Sequence, residues 1–190
     1  MIGNRQYPSV HAVLHLLNPP TNSFRNEKVF EVGRIAHLQI HNYFNKGEGD
    51  NLDTLARITI EWLYENGLEY ITSEEVWINK EENYAGRIDS LFRKGKALFL
   101  IDYKFLASYT LSINYYLQLP AYATCTHYIH PDENIPYSLE YIQNNITCLV
   151  LIVHKKELKI KPVYIPINPK LLKIFHSGVA IWHYRHQLLR

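Results

Sequence analysis

The chain is constrained most by residues 86–104, which read Gly-Arg-Ile-Asp-Ser-Leu-Phe-Arg-Lys-Gly-Lys-Ala-Leu-Phe-Leu-Ile-Asp-Tyr-Lys. Two extended runs flank a short polar turn at 93–96, where Gly95 is free to take a positive φ. The second run, 97–104, is apolar until Asp102 and then alternates Asp, Tyr, Lys. Side chains two apart on a strand share a face, so Asp102 and Lys104 point one way and Tyr103 the other. An acid closing a buried strand is costly to desolvate unless a cation compensates it. Asp89, on the neighbouring run, lies across the hairpin from that pair. Two carboxylates and an ammonium converging in this way suit a hard cation such as Mg²⁺, with the lysine left to hold a phosphate or a water.

The other elements follow from periodicity and punctuation. Residues 9–17 read as a short helix, capped by Ser9 after Pro8 and stopped by Asn18-Pro19-Pro20. Its His11 and His15 are spaced i,i+4 but have no third ligand nearby in sequence, so they read as a surface or partly buried pair before a metal chelate. Apolar residues recurring from Val29 to Phe44 make 27–45 a mostly buried helix, with Gly33 allowing close packing. His37 sits in its middle, where a lone histidine is ordinarily a satisfied core residue. A further helix is predicted over 52–66, ended by Gly67 at a left-handed cap. Residues 68–79 read as one strand, in which Glu74 or Glu75 is either an exposed acid or an extra acid of the site. With the 86–104 hairpin, it is expected to form a single antiparallel meander.

A helix over 111–128 follows, capped from the 108–110 loop and kinked at Pro120. It places Gln118 and Tyr122 i,i+4 on one face. Residues 130–141 form a Pro-rich loop, 146–154 a buried strand, and 158–165 its partner after a turn at 155–157. Asn168 and Pro169 then cap and start a last helix running to about 189.

Composition sets the outer limits. A chain of 190 residues, 47% hydrophobic and 20% charged, excludes a disordered polymer and is most simply one domain, 1–190. The formal charge of +2 names no partner, but residues 155–190 hold 8 Lys or Arg against Glu157 alone. Such a stretch is either a footprint for phosphate backbones or a solvated lysine face. Cys125 and Cys148, outside any CxxC spacing, read as buried reduced thiols. No run approaches the roughly 20 apolar residues of a membrane span, and the first residues lack a signal pattern. A cytoplasmic location without a membrane partner is therefore expected. Walker, dinucleotide, nucleophile-elbow and His-Glu-x-x-His motifs are absent from the sequence.

Asp89 followed by Asp102-Tyr103-Lys104 resembles the core motif of the PD-(D/E)XK nucleases. Three flanking matches make the chain similar to the RecB-type exonuclease branch: Gly33-Arg34-Ile35-Ala36-His37, Gly86-Arg87-Ile88-Asp89 and Gln118-Leu119-Pro120-Ala121-Tyr122. They stand in the family's order over residues 33–122. The resemblance implies an α/β (α+β) fold with a restriction-endonuclease-like core, a central mixed sheet containing an antiparallel hairpin and flanked by helices. It implies metal-dependent hydrolysis of DNA phosphodiester bonds by an exonuclease acting on DNA ends, in replication, recombination, repair or phage DNA metabolism.

The same resemblance assigns roles. His37, Asp89, Asp102 and the main-chain carbonyl of Tyr103 would hold Mg²⁺ or Mn²⁺, and Asp89, Asp102, Lys104 and Gln118 would form the catalytic set. His37 thereby moves from core residue to ligand, while His41 reads as a supporting or surface residue. Gln118, Tyr122, Arg34 and Arg87 would contact nucleic acid. Gln118 is either an orienting hydrogen-bond donor or a surface amide, and Tyr122 either stacks on a base or simply packs. Some relatives carry a four-cysteine iron–sulfur cluster; two cysteines cannot build one, so no cluster is expected. The implied partners are DNA, as single strands or ends, and a helicase, a recombinase or a second copy, in a bacterial cell or phage-infected host. Two readings stay open beside it: an endonuclease with the same core, and a non-catalytic nucleic-acid-binding module.

Overall fold

The computed structural model describes residues 7–19, 27–129 and 143–188. The expected Pro-rich loop at 130–141 and Arg190 lie outside the described residues. Among those described, a five-stranded mixed sheet runs β1 (Glu69–Ser73), β4 (Ser90–Lys94), β5 (Ala97–Leu106), β7 (Ile146–His154), β8 (Lys159–Ile165). Only the central β5–β7 pair is parallel; the other pairs are antiparallel. A three-stranded antiparallel sheet, β3 (Tyr84–Arg87), β2 (Val76–Asn79), β6 (His127–Ile129), sits beside it.

Helices cover both faces of the large sheet because β5 and β7 are apolar on both sides. One face packs Leu98, Leu100, Val150 and Ile152 against α1 (Val10–Leu17), α4 (Ile113–Ala123) and α5 (Pro169–Leu188). The opposite face packs Ile101, Tyr103, Leu149 and Leu151 against α2 (Glu27–Lys46) and α3 (Thr54–Glu65). Local chemistry sets the helix starts. Ser9, Asp53 and Ser112 each accept a backbone N–H of the first turn, and Asn168 does so ahead of Pro169. The cap of α4 is thus Ser112 rather than the 108–110 loop, and that helix ends at Ala123, ahead of β6.

Two expectations are corrected. The single antiparallel meander is instead a long ribbon that bends out of one sheet and into another. Residues 68–79 break at Glu74, whose φ is 59°, and the facing run breaks at Ile88 and Asp89. The ribbon stays paired through the bend, by Glu74 N–H to Asp89 O (3.2 Å) and Ile88 N–H to Glu75 O (2.9 Å). Its far half then pairs with β6. Alternation cannot reveal the break, because Glu75, Trp77 and Ile78 are all buried beyond it. The second correction concerns α2, which is buried along one stripe only. Ala36 and Ile40 face the core, while Val32, Ile35 and Leu38 are exposed, since the sheet and α3 meet a single side of the helix. No helix among the described residues is long and apolar enough to cross a membrane.

Candidate functional site

The bend creates the site. In β5 the last residue paired with β4 is Ile101, opposite Ser90, yet β5 continues to Leu106. Among the described residues, its edge beyond Ile101 therefore has no neighbouring strand on the β4 side. Side chains take the strand's place. Asp89, at the bend, accepts the Tyr103 N–H through Oδ2 (3.0 Å), and His37 of α2 donates from Nε2 to the Tyr103 carbonyl (3.0 Å). His37 Nδ1 lies 3.5 Å from the same Asp89 oxygen. The imidazole is held edge-on by Tyr103 and Phe105, and Gly33, one turn back, faces Phe105.

Asp102 and Lys104 project from the other face, toward α4. Lys104 Nζ is 2.5 Å from Asp102 Oδ2, and Gln118 donates to Asp102 Oδ1 at 3.0 Å. Asp102 is 2% exposed, so the pair is desolvated and depends on mutual compensation. Burial raises the pKa of the Asp102 carboxyl; Lys104 pulls it down and Asp89 pushes it up further. Burial would lower the Lys104 ammonium, but Asp102 and then Asp89 hold it charged and raise it overall. The ammonium also sits 4.9 Å from the Tyr115 ring centroid, a cation–π contact. Asp102 Oδ2 is buried and has the Lys104 ammonium as its partner.

Above this pair opens a cleft of about 570 Å³, lined among others by His11, Arg34, His37, Lys104, Gln118 and Lys155. A second cleft, about 410 Å³, adjoins it across Arg34 and His37 and reaches Leu38, His41, Glu74 and Arg87. The first has cationic and imidazole groups on its walls and, among the described residues that line it, no carboxylate.

The structure therefore brings His37, Asp89, Tyr103, Asp102, Lys104 and Gln118 around one stretch of β5. Arg34 lines both clefts while paired with Glu31 at 2.6 Å, and Arg87 lies 3.5 Å from Glu74 on the second. Tyr122 does not join them: at 2% exposure it is packed under Gly86 and presents no face for a base to stack on. His41 Nδ1 lies 2.7 Å from the Ser73 hydroxyl, which Asn45 also reaches (2.8 Å), so it ties α2 to β1. Glu75 is buried and accepts from the Thr72 hydroxyl (2.6 Å) instead of lying exposed on a strand. Sequence reasoning overlooked His11 and His15 as cleft residues; their shared helix face was visible, but what α1 covers was not. It also overlooked Tyr115 beside Lys104. Burial and Lys104 hold the His11 pKa below the usual imidazole value, with Asp102 acting the other way.

The donor set fits a hard divalent cation chemically: two carboxylates, one imidazole and a main-chain carbonyl, with the buried Asp102 Oδ2 held against the Lys104 ammonium. Among the described residues no three acidic, histidine or cysteine side chains already converge as a preformed cage. His37 and Asp89 instead hold each other and the Tyr103 main chain. No protein-family model matches this chain, and no curated protein matches it significantly.

Proposed function

We propose that the chain is a divalent-metal-dependent nuclease of the PD-(D/E)XK type, with a restriction-endonuclease-like core, acting as an exonuclease on DNA ends. The observation that supports this most is the clustering at one strand edge. Residues separated by up to 81 positions in sequence, His37 and Gln118 at the extremes, meet at Asp102-Tyr103-Lys104. A structural ion pair alone would not require the half-buried His37 imidazole, the cationic walls or the adjoining cleft.

Asp89, Asp102, His37 and the Tyr103 carbonyl would hold Mg²⁺ or Mn²⁺. The bound ion supplies Lewis-acid polarisation of the phosphate and a more acidic water. The chain's own residues do the rest. Lys104, held charged beside Asp102, offsets the negative charge that grows on the phosphate oxygens or orients the attacking water. Gln118 fixes the Asp102 carboxylate by donating to Oδ1, so that Oδ2 keeps its direction. Arg34, Lys155, His11 and His15 line the approach and favour a polyanion over neutral substrates.

The test is Mn²⁺- and Mg²⁺-dependent digestion of end-labelled single- and double-stranded DNA, with the Lys104→Ala protein as control. Metal-dependent release of nucleotides from linear DNA, with closed circles left intact, is expected. Cleavage of circles would make the enzyme an endonuclease. Cleavage by Lys104→Ala at the wild-type rate would overturn the assignment.

A further inference from the structure

Strand register puts a second set of cations on the Lys104 face of the sheet. β5, β7 and β8 pair so that Lys104, Ile152 and Lys161 stand in one row, and Leu106, His154 and Lys159 in the next. Directly paired residues share a face, so Lys159 and Lys161 project from the same side as Lys104, two strand spacings or about 10 Å from β5. Lys155 joins the two regions: it lines the cleft, and its N–H donates to the Leu106 carbonyl (2.9 Å).

An aromatic platform lies between them. The Tyr109 ring stacks on His154, with centroids 4.8 Å apart and planes at 26°, and Lys161 Nζ is 5.7 Å from the Tyr109 ring. His154 is itself fixed, donating from Nε2 to Ala107 O (2.8 Å) and accepting the Glu157 N–H at Nδ1 (3.0 Å). The one acid of this turn, Glu157, accepts the Tyr109 hydroxyl (3.0 Å). Among the described residues no carboxylate pairs with Lys156, Lys159 or Lys161, and all three are exposed.

We propose that Tyr109, Lys159 and Lys161 form a polynucleotide path that carries the strand out of the cleft and across the β7–β8 ladder. This rests on the nuclease reading. Cations spaced along a surface beside an aromatic ring are what a single strand requires, phosphates meeting the ammonium groups and a base meeting the ring. The path also gives part of the basic stretch at 155–190 a location: Lys155, in the β7–β8 turn, lines the cleft, and Lys159 and Lys161 follow on β8.

The experiment is fluorescence anisotropy in EDTA with labelled oligothymidylates of about 5 and about 20 nucleotides, spanning the usual site sizes of single-strand binders. Lys159→Glu/Lys161→Glu is expected to weaken the long probe about tenfold and to flatten its log-affinity against log-salt slope by about 1.4, two phosphate contacts' worth. The short probe, which meets fewer of these cations, is expected to lose less affinity than the long one on the same electrostatic argument. Tyr109→Leu is expected to weaken the long probe without altering the salt slope, as stacking loss does. An unchanged affinity and slope for the long probe in the double variant overturns the path and leaves the nuclease assignment standing. A wild-type protein that neither binds the probes nor cleaves DNA overturns both.

Discussion

The carboxylate of Asp89 accepts the main-chain N–H of Tyr103 at 3.0 Å, where β5 has lost its neighbouring strand. A side chain thus completes a sheet ladder that the bent ribbon leaves open, and the acid is delivered to the site by the same bend. Structure and chemistry are joined at one oxygen, since Asp89 Oδ2 also faces His37.

Asp89→Ala is expected to lower unfolding free energy by about 1–3 kcal/mol, the penalty for a buried donor left without its partner. Asp89→Asn, which keeps an acceptor oxygen, should recover most of that stability but not cleavage. Urea denaturation of the two variants separates the roles; equal stability of Asp89→Ala and wild type would contradict the ladder-completing role.

Asp102 and Lys104 form a buried pair, so removing one member strands the other. Asp102→Ala should lose about 3 kcal/mol, within the range for breaking buried ion pairs, and still fold, because domains of this size commonly have more than that in hand. Asp102→Asn/Lys104→Met, neutral and of similar volume, should be more stable than Asp102→Ala while equally inactive. Chemical denaturation combined with a cleavage assay checks both; a double variant less stable than the single one would contradict the coupling.

Gly86 faces Tyr122 so closely that a Cβ there would lie 2.3 Å from Tyr122 Cε1 and 3.0 Å from Val10 Cγ2. Tyr122 is fully packed and cannot swing away cheaply. Gly86→Ala is therefore expected to destabilise by about 1–3 kcal/mol through overpacking, and Gly86→Ala/Tyr122→Leu to recover part of it. Thermal unfolding of the pair is the measurement, and an unaffected Tm in Gly86→Ala would contradict the packing.

On the alkaline side the sign follows from burial. Burial pushes the Cys148 thiol up to about 12 from its ordinary 9, and raises Cys125, Tyr84, Tyr103 and Tyr122 above their ordinary values as well. The folded state keeps protons that the unfolded chain gives up above about 9 for thiols and 10 for phenols, so these groups stabilise the fold below those values and lose that effect as pH rises through the folded pKa. Stability should hold up to about pH 9 and then fall steadily toward 12, with native Cys125 and Cys148 unreactive to thiol reagents until unfolding. Urea midpoints against pH, read with tyrosinate absorbance, test this; a flat profile to pH 11 would contradict it.

The residues that specify helix caps, the Gly95 turn and the apolar strands at 97–106 and 146–154 act locally, so α/β architecture and most element positions could be read from the chain. The Asp102-Tyr103-Lys104 stretch of β5 also pointed to a candidate site, because an acid and an amine in a buried strand need compensation wherever the strand lies. What remained hidden depends on partners far away in sequence. The ribbon's bend at Glu74 and Asp89, the burial of Tyr122 under Gly86, and α1 placing His11 and His15 over Lys104 follow from which sheet each segment joins. Period-two alternation fixes which side chains share a face, but only assembled strands fix which face becomes a cleft wall and which becomes core.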